Sequence, residues 1–131
     1  MKLFAHKECW DFIEKHPEDF KSFGCGPGGI GDFFVPDTMY GLNVSDACRI
    51  HDWYYRFYPG KTEADRKMAD SILKNNLLRI VRAKSKNRIL RWLRERRCGT
   101  YYRFVRLAGG PAFYDERNLD DEFKELSLRE I

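Results

Sequence analysis

The stretch Asp46–Tyr55 reads DACRIHDWYY and sets a histidine and an aspartate side by side in the middle of a helical pattern. Pro59 and Gly60 follow it, so the helix is expected to run from near Asp46 to about Tyr58. This helix decides the fold, because the segments before and after it must pack against its faces.

Two faces of this helix carry different chemistry. At about 100° per residue, Cys48 and Asp52 share one face, while His51 and Tyr55 share the adjacent one. The carboxylate of Asp52 suits a hard metal ion, and His51 suits a general base because imidazole exchanges protons near neutral pH. A helix cap or a surface salt bridge is the alternative for an isolated His-Asp pair, so a supporting carboxylate decides between the two interpretations.

A second helix supplies two carboxylates that can face His51. Thr62 is its candidate cap, and apolar residues recur at helical spacing over residues 64–81, which predicts a helix of about five turns. The short connection makes the two helices antiparallel neighbours. Asp65 and Asp70 are five positions apart, about 140° around the helix, so only one of them is expected to face His51.

A glycine-rich segment, FGCGPGGIGD at Phe23–Asp32, precedes both helices. Its Gly26, Gly28 and Gly31 match the dinucleotide-binding pattern, but the flanking residues favour neither a strand before them nor a helix after them. Glycines permit unusual backbone angles, so several carbonyls can converge on a hard cation such as calcium. A tight turn without a ligand is the alternative.

Length and composition bound the class of protein. With 131 residues, 43% hydrophobic and 34% charged, the chain suits one folded domain and excludes a tandem enzyme or wholesale disorder. No run approaches the ~18 apolar residues of a membrane-spanning helix. The charged start, MKLFAHKECW, lacks the apolar stretch of a usual signal peptide.

Basic side chains are concentrated in one block. Residues 74–106 hold 12 basic residues and one acidic residue, whereas residues 1–73 carry a net charge of −3 and residues 107–131 carry −4. Such a block suits nucleic acid, anionic lipid or an acidic partner. A solvated helix face balanced by the acidic tail is the alternative.

The remaining segments complete a mainly α interpretation in a single domain, residues 1–131. Apolar residues at helical spacing predict a short amphipathic helix that ends before Pro17. We expect a basic helix over about 84–97 and a small β or extended element near 101–107. An acidic C-terminal tail covers about 115–131.

Three motifs in this order resemble the phospholipase A2 superfamily, and they are similar in style to its compact viral and bacterial members. The matching residues are Cys25, Gly26, Pro27, Gly28 and Gly29 in the glycine-rich segment, Cys48, His51, Asp52 and Tyr55 in the first helix, and Ala64, Asp65 and Met68 in the second. The likeness covers about 23–77, somewhat under half of the chain. It implies a mainly α fold with an antiparallel helix pair and a glycine-rich calcium-binding loop.

The resemblance implies a hydrolase that cleaves the sn-2 ester of glycerophospholipids with calcium. The carbonyls of Gly24, Gly26 and Gly28 and the carboxylate of Asp52 would hold the ion. His51 would take a proton from the attacking water. Calcium and the backbone amide of Gly26 would stabilise the developing oxyanion.

Further roles also follow from the resemblance. Asp65 would orient and stabilise His51, on the Ala-Asp-x-x-Met match, and Asp70 is the alternative partner. Tyr55 would hydrogen-bond to the supporting carboxylate, which is compatible with a tyrosine that is simply part of the core.

The resemblance also addresses the cysteines. The loop cysteine of the family is bridged to the cysteine three residues before its histidine, which implies that Cys25 and Cys48 lie close together and form a disulfide if oxidised. Such a bridge would hold the glycine-rich segment near Asp52. Cys9 and Cys98 have no counterpart in the family, so a second bridge and two separate buried thiols are both open.

On a lipid enzyme, the basic block would hold the protein to anionic headgroups through Arg88, Arg91, Arg94 and Arg97, at about 1 kcal/mol per residue. Two other functions stay open: a non-catalytic relative that binds lipid or protein, and a basic nucleic-acid-binding domain. The lack of a usual signal peptide and the style of the motifs suggest a virion, prophage or toxin-associated role, or export by a non-classical route.

Overall fold

The computed structural model describes residues 2–23 and 38–108. Within these ranges the chain forms five helices and one short hairpin, so the mainly α prediction is confirmed. In chain order the elements are α1 (Lys7–Lys15), α2 (Pro17–Ser22), β1 (Thr38–Met39), β2 (Leu42–Asn43), α3 (Ser45–Phe57), α4 (Glu63–Lys84) and α5 (Arg88–Ala108). None of these helices combines the length and the apolar character that a membrane-spanning segment needs.

The N-terminal segment is held to the rest of the molecule by buried side chains. Asn76 accepts a hydrogen bond from the amide of Phe4 at 2.6 Å and donates one to its carbonyl at 2.8 Å. The hydroxyl of Tyr54 accepts the amide of His6 at 2.8 Å. α1 ends before Pro17, as predicted, because proline fits the first position of the next helix better than the interior of the previous one.

A short β-hairpin with a two-residue connection precedes α3. β1 and β2 are antiparallel, with Thr38 opposite Asn43 and Met39 opposite Leu42. Tyr40 and Gly41 form the connection with φ of 47° and 81°. Positive φ at both positions is typical of the tight turn that matches the twist of a β-hairpin.

α3 is the central helix, as its burial shows. Ten of its 13 residues are buried, which means that neighbouring elements cover it on more than one side. The ring of Phe57 packs against Phe12 of α1 and against Phe23, with ring centres 5.1 and 5.7 Å apart. Another side of α3 contacts α4. The sequence therefore placed this helix correctly, to within one residue at each end.

α4 and α5 form a long antiparallel pair. Near one end, Arg66 donates to the carbonyl of Val105 at 3.0 Å, and near the other end Arg82 contacts Glu95 at 3.3 Å. α4 begins at the predicted cap, Thr62, and runs through 22 residues. Because residues near the start of α4 contact residues near the end of α5, the two helices run in opposite directions.

The β element predicted near 101–107 is wrong, because those residues continue α5. Cys98, Tyr101 and Val105 are buried on one face, at the i, i+3 and i+7 positions of a helix. Burial of this stripe against α4 outweighs the preference of aromatic and β-branched residues for strands.

The basic helix has different bounds from those predicted. α4 continues to Lys84, and α5 begins only at Arg88. Asn87 starts α5, since its side-chain oxygen accepts the amides of Ile89 and Leu90 at 2.8 and 3.1 Å. The acidic tail over 115–131 lies outside the described residues.

Candidate active site

His51 and Asp70 meet where α3 packs against α4. Nε2 of His51 lies 2.7 Å from Oδ1 of Asp70, and the two side chains are 2% and 0% exposed. A carboxylate on one ring nitrogen favours the tautomer with the proton on Nε2, which leaves Nδ1 to accept a proton. The pair therefore has the geometry of a general base with a buried supporting carboxylate.

The prediction that Asp65 supports His51 is wrong, and its alternative, Asp70, takes that position. Asp65 instead forms a capping box at the start of α4. Its carboxylate accepts the amide of Thr62 at 3.1 Å, and its own amide donates to the Thr62 hydroxyl at 3.2 Å. A carboxylate in the first turn is stabilised by unpaired amides and by the helix dipole, so Asp65 is engaged locally. Five positions further on, Asp70 lies on the face that meets α3.

Three other side chains contact the carboxylate of Asp70. The hydroxyl of Tyr55 donates to Oδ1 at 2.6 Å. Nη1 of Arg106 donates to Oδ2 at 2.8 Å, and Nη1 of Arg66 lies 3.7 Å from the same oxygen. Tyr55 thus contacts the supporting carboxylate, as the resemblance implied, although that carboxylate is Asp70.

These contacts keep the buried carboxylate ionised. Burial alone would raise the pKa of Asp70, but hydrogen bonds and charge from His51, together with Tyr55 and Arg106, lower it below its ordinary value. Burial and the negative charge of Asp70 raise the pKa of Tyr55, so its hydroxyl stays a donor. The pKa of Arg106 is raised, because its contacts with Asp70 and Glu63 outweigh its burial.

Asp52 lies on the neighbouring face of α3 and is buried, with 3% of its surface exposed. Its Oδ1 accepts Nε of Arg56 at 3.2 Å. Carboxylate oxygen is the ligand type that calcium prefers, so the chemistry of Asp52 fits the implied ion. The other implied ligands, the carbonyls of Gly24, Gly26 and Gly28, lie outside the described residues, as does the amide of Gly26. Within the described ranges, no three His, Cys, Asp or Glu side chains form a metal-binding group.

Phe23, the first residue of the glycine-rich segment, lies against the same part of α3. Arg49 donates from Nε to the carbonyl of Phe23 at 3.3 Å. The guanidinium of Arg56 lies 5.2 Å from the centre of the Phe23 ring. Since Arg49, Asp52 and Arg56 follow at i, i+3 and i+7, the chain enters the glycine-rich segment beside the face that carries Asp52.

The cysteines fall into two kinds. Cys48 is disulfide-bonded, while its implied partner Cys25 lies outside the described residues. Cys9 and Cys98 are free and buried, so they are two separate thiols and do not form a second bridge. Burial and nearby Glu95 raise the pKa of Cys98 to about 12, and burial raises the pKa of Cys9 as well. Both thiols therefore stay protonated and unreactive.

The four arginines predicted to bind anions differ in their exposure to solvent. Arg88, Arg91 and Arg97 are exposed on α5. Arg94 is buried and is removed from this set, because it donates to the Ser85 hydroxyl at 3.0 Å and to the carbonyl of Tyr40 at 2.8 Å. Its position on the inner face of α5 makes it a structural link to the hairpin turn.

Two residues of the site, Arg66 and Arg106, were not predicted from the sequence. Arg66 stands four positions before Asp70, a spacing at which opposite charges meet on a helix, so a signal was present. Arg106 is 36 positions from Asp70, and only the return of α5 along α4 brings them together.

His51, Tyr55 and Asp70 thus lie in contact with one another, and Asp65 lies in the N-terminal cap of α4. Comparison of the chain with protein-family models, with curated proteins and with solved structures found no significant match. Any function therefore has to be argued from the geometry and chemistry of these residues.

Proposed function

We propose that this protein is a calcium-dependent phospholipase A2 that hydrolyses the sn-2 ester of glycerophospholipids. The observation that carries the proposal is the contact of Nε2 of His51 with the buried carboxylate of Asp70. A histidine on a surface salt bridge would not need a fully buried acid braced by three further side chains. Such bracing is typical of a base whose orientation matters for proton transfer.

His51 acts as the base in this proposal. Nδ1 takes a proton from a water molecule, either directly or through a second water, and that water attacks the ester carbonyl. Asp70 stabilises the imidazolium that forms and fixes the ring while the proton moves. The imidazolium then gives this proton to the departing alkoxide oxygen as the sn-2 ester bond breaks. No covalent acyl-enzyme is needed, because water is the nucleophile.

Asp52, together with the carbonyls of Gly24, Gly26 and Gly28, would hold the ion. When bound, calcium would supply a Lewis acid for the ester carbonyl. The amide of Gly26 would donate to the oxyanion. Support for this arrangement comes from the burial of Asp52 and from Phe23, the first residue of the glycine-rich segment, whose carbonyl accepts a hydrogen bond from Arg49.

Release of fatty acid from vesicles of sn-2-labelled phospholipid tests the activity. The parent is expected to release the sn-2 chain with calcium present and to stop when the ion is chelated. His51→Ala should lower the rate by about 10²–10⁴-fold, the range for a general base. His16→Ala, at the histidine between α1 and α2, is the matched control. Equal release from parent and His51→Ala, or release that persists with chelator, would refute the mechanism.

We further propose that the basic block holds the enzyme to an anionic lipid surface. Its exposed residues Arg88, Arg91 and Arg97 lie on the same helix as Ile89 and Trp92, which are 71% and 54% exposed. Exposed apolar groups among cations suit the boundary of a membrane, where the apolar groups enter and the cations meet headgroups. Glu95, the one acidic residue in the block, pairs with Arg91 and Arg82, and the other basic residues leave the block with a large net positive charge.

Binding to vesicles of anionic and of zwitterionic lipid tests this surface. The triple variant Arg88→Gln, Arg91→Gln, Arg97→Gln should lose most of its affinity for anionic vesicles at low salt. Its control removes three exposed cations elsewhere, at Lys7, Lys21 and Lys67, and should retain more affinity. Unchanged vesicle binding by the arginine variant, together with a steep loss of binding to single-stranded DNA, would favour the nucleic-acid alternative.

A further inference from the structure

Arg106 contacts the oxygen of Asp70 that the histidine does not use. His51 and Tyr55 both bind Oδ1, at 2.7 and 2.6 Å. Oδ2 receives Nη1 of Arg106 at 2.8 Å, and Arg66 is more distant at 3.7 Å. A carboxylate bound at one oxygen alone can rotate about its χ2 bond, which is a soft torsion. Arg106 therefore supplies the second point that fixes the plane of the carboxylate.

Building on the proposed hydrolase, we propose that Arg106 is a positioning residue for His51. Its guanidinium fixes Oδ2 of Asp70, which keeps Oδ1 directed at Nε2 of His51 and presents Nδ1 to the attacking water. Arg106 does not touch the reacting atoms in this account. It acts through Asp70 and links the last turn of α5 to the candidate base.

Arg106 is itself held in place by a second arginine. Arg66 donates to the carbonyls of Val105 and Arg106, each at 3.0 Å. Both carbonyls belong to the last described turn of α5. Arg66 thus fixes the stretch of backbone from which the Arg106 side chain extends.

Glu63 completes the arrangement and balances its charge. It accepts Nε and Nη2 of Arg66 at 2.9 and 3.1 Å and also contacts Nη2 of Arg106. Two carboxylates and two guanidinium groups then form a cluster with no net charge beside the histidine. Such mutual pairing lowers the cost of burying Asp70, and the planar fork of arginine gives it direction as well as charge.

Kinetics of Arg106→Ala test the proposal in the full chain with calcium. Partners that orient a functional side chain typically matter by about 10–100-fold, so kcat should fall by that factor while KM changes little. Free guanidinium ion at a low, non-denaturing concentration should restore part of kcat by taking the vacated position. Lys67→Ala, at an exposed cation of α4 outside the basic block, should keep the parental kcat and show no response to guanidinium.

The ¹⁵N resonances of the His51 ring give a readout that does not need hydrolysis. The parent should show the proton on Nε2, and Arg106→Ala should show a mixture of tautomers that guanidinium shifts back. If Arg106→Ala does not fold, Arg106→Gln keeps most of the side-chain volume without the charge and undergoes the same measurements. Parental kcat and an unchanged ring pattern in the folded variant would overturn the proposal for Arg106. An inactive parent with the expected ring pattern would instead refute only the proposed hydrolase.

Discussion

At the scale of single residues, one carboxylate organises the candidate site. Asp70 has no solvent exposure and receives hydrogen bonds from His51, Tyr55 and Arg106. A buried charge is tolerated only when it is paired in this way, so each donor matters more than a similar contact at the surface would.

Tyr55→Phe removes one of these donors without changing the shape of the core. Hydrogen bonds to charged groups contribute about 1.5–3 kcal/mol, so we expect the free energy of unfolding to fall by about that amount. Tyr102→Phe is the control, because its ring lies beside Lys74 in a partly exposed position and the change should stay within about 0.5 kcal/mol. Urea denaturation measures both values, and equal losses in the two variants would contradict the importance of the Tyr55 contact.

Asp70 also predicts how stability depends on pH. Its pKa in the folded state is lower than the ordinary 3.8, because hydrogen bonds and charge outweigh its burial. Its contribution to stability is therefore complete above the ordinary pKa and is lost as pH falls through the lower folded value. We expect the free energy of unfolding to drop as the pH falls below about 4 and through the lower folded pKa, and to drop less steeply in Asp70→Asn.

Urea denaturation at stepped pH checks this dependence, with Asp19→Asn as the control at an exposed carboxylate. The control should follow the parent. A slope in Asp70→Asn as steep as that of the parent would show that other carboxylates cause the acid sensitivity.

At the scale of elements, local signals predicted most helices and failed where two signals competed. Thr62 and the apolar spacing after it gave the start of α4, and Pro17 gave the end of α1. Tyr101 and Val105 are residue types that favour a strand, but they recur at helical spacing and are buried. The helix forms because this spacing lets both side chains pack against the long apolar face of α4. The motif match predicted Asp65 as the partner of His51. A carboxylate in the first turn of a helix instead forms hydrogen bonds with the cap, as Asp65 does with Thr62.

The cap predicts a separable effect on stability. Thr62→Ala removes the hydroxyl that accepts the Asp65 amide, so we expect a loss of about 0.5–2 kcal/mol in the free energy of unfolding. Thr62→Ser keeps the hydroxyl and should lose less. Thermal and urea denaturation measure the loss, and equal stability of the alanine variant and the parent would contradict the capping role.

At the scale of the whole molecule, the site depends on contacts that sequence spacing cannot give. Arg106 reaches Asp70 because α5 runs back along α4, and Arg94 reaches the carbonyl of Tyr40 across 54 positions. Nothing local marks either arginine, since both lie in a helix rich in arginine. Their partners become evident only after the helices are packed.

The shared core predicts a large cost for a cavity between the helices. Leu77 is fully buried in α4, so Leu77→Ala should lower the free energy of unfolding by about 2–5 kcal/mol. Leu107→Ala makes the same chemical change at a residue that is 87% exposed and should cost little. Similar losses in the two variants, measured by urea denaturation, would show that Leu77 does not lie in a cooperative core.

Substitution of each of the two candidate aspartates shows which one supports His51 in the reaction. Release of the labelled sn-2 fatty acid is measured with calcium for the parent, Asp70→Asn and Asp65→Asn, each at the same amount of folded protein. We expect Asp70→Asn to lose activity by about 10²–10⁴-fold and Asp65→Asn to stay close to the parent. Parental activity in Asp70→Asn, or a greater loss in Asp65→Asn, would contradict this role of Asp70.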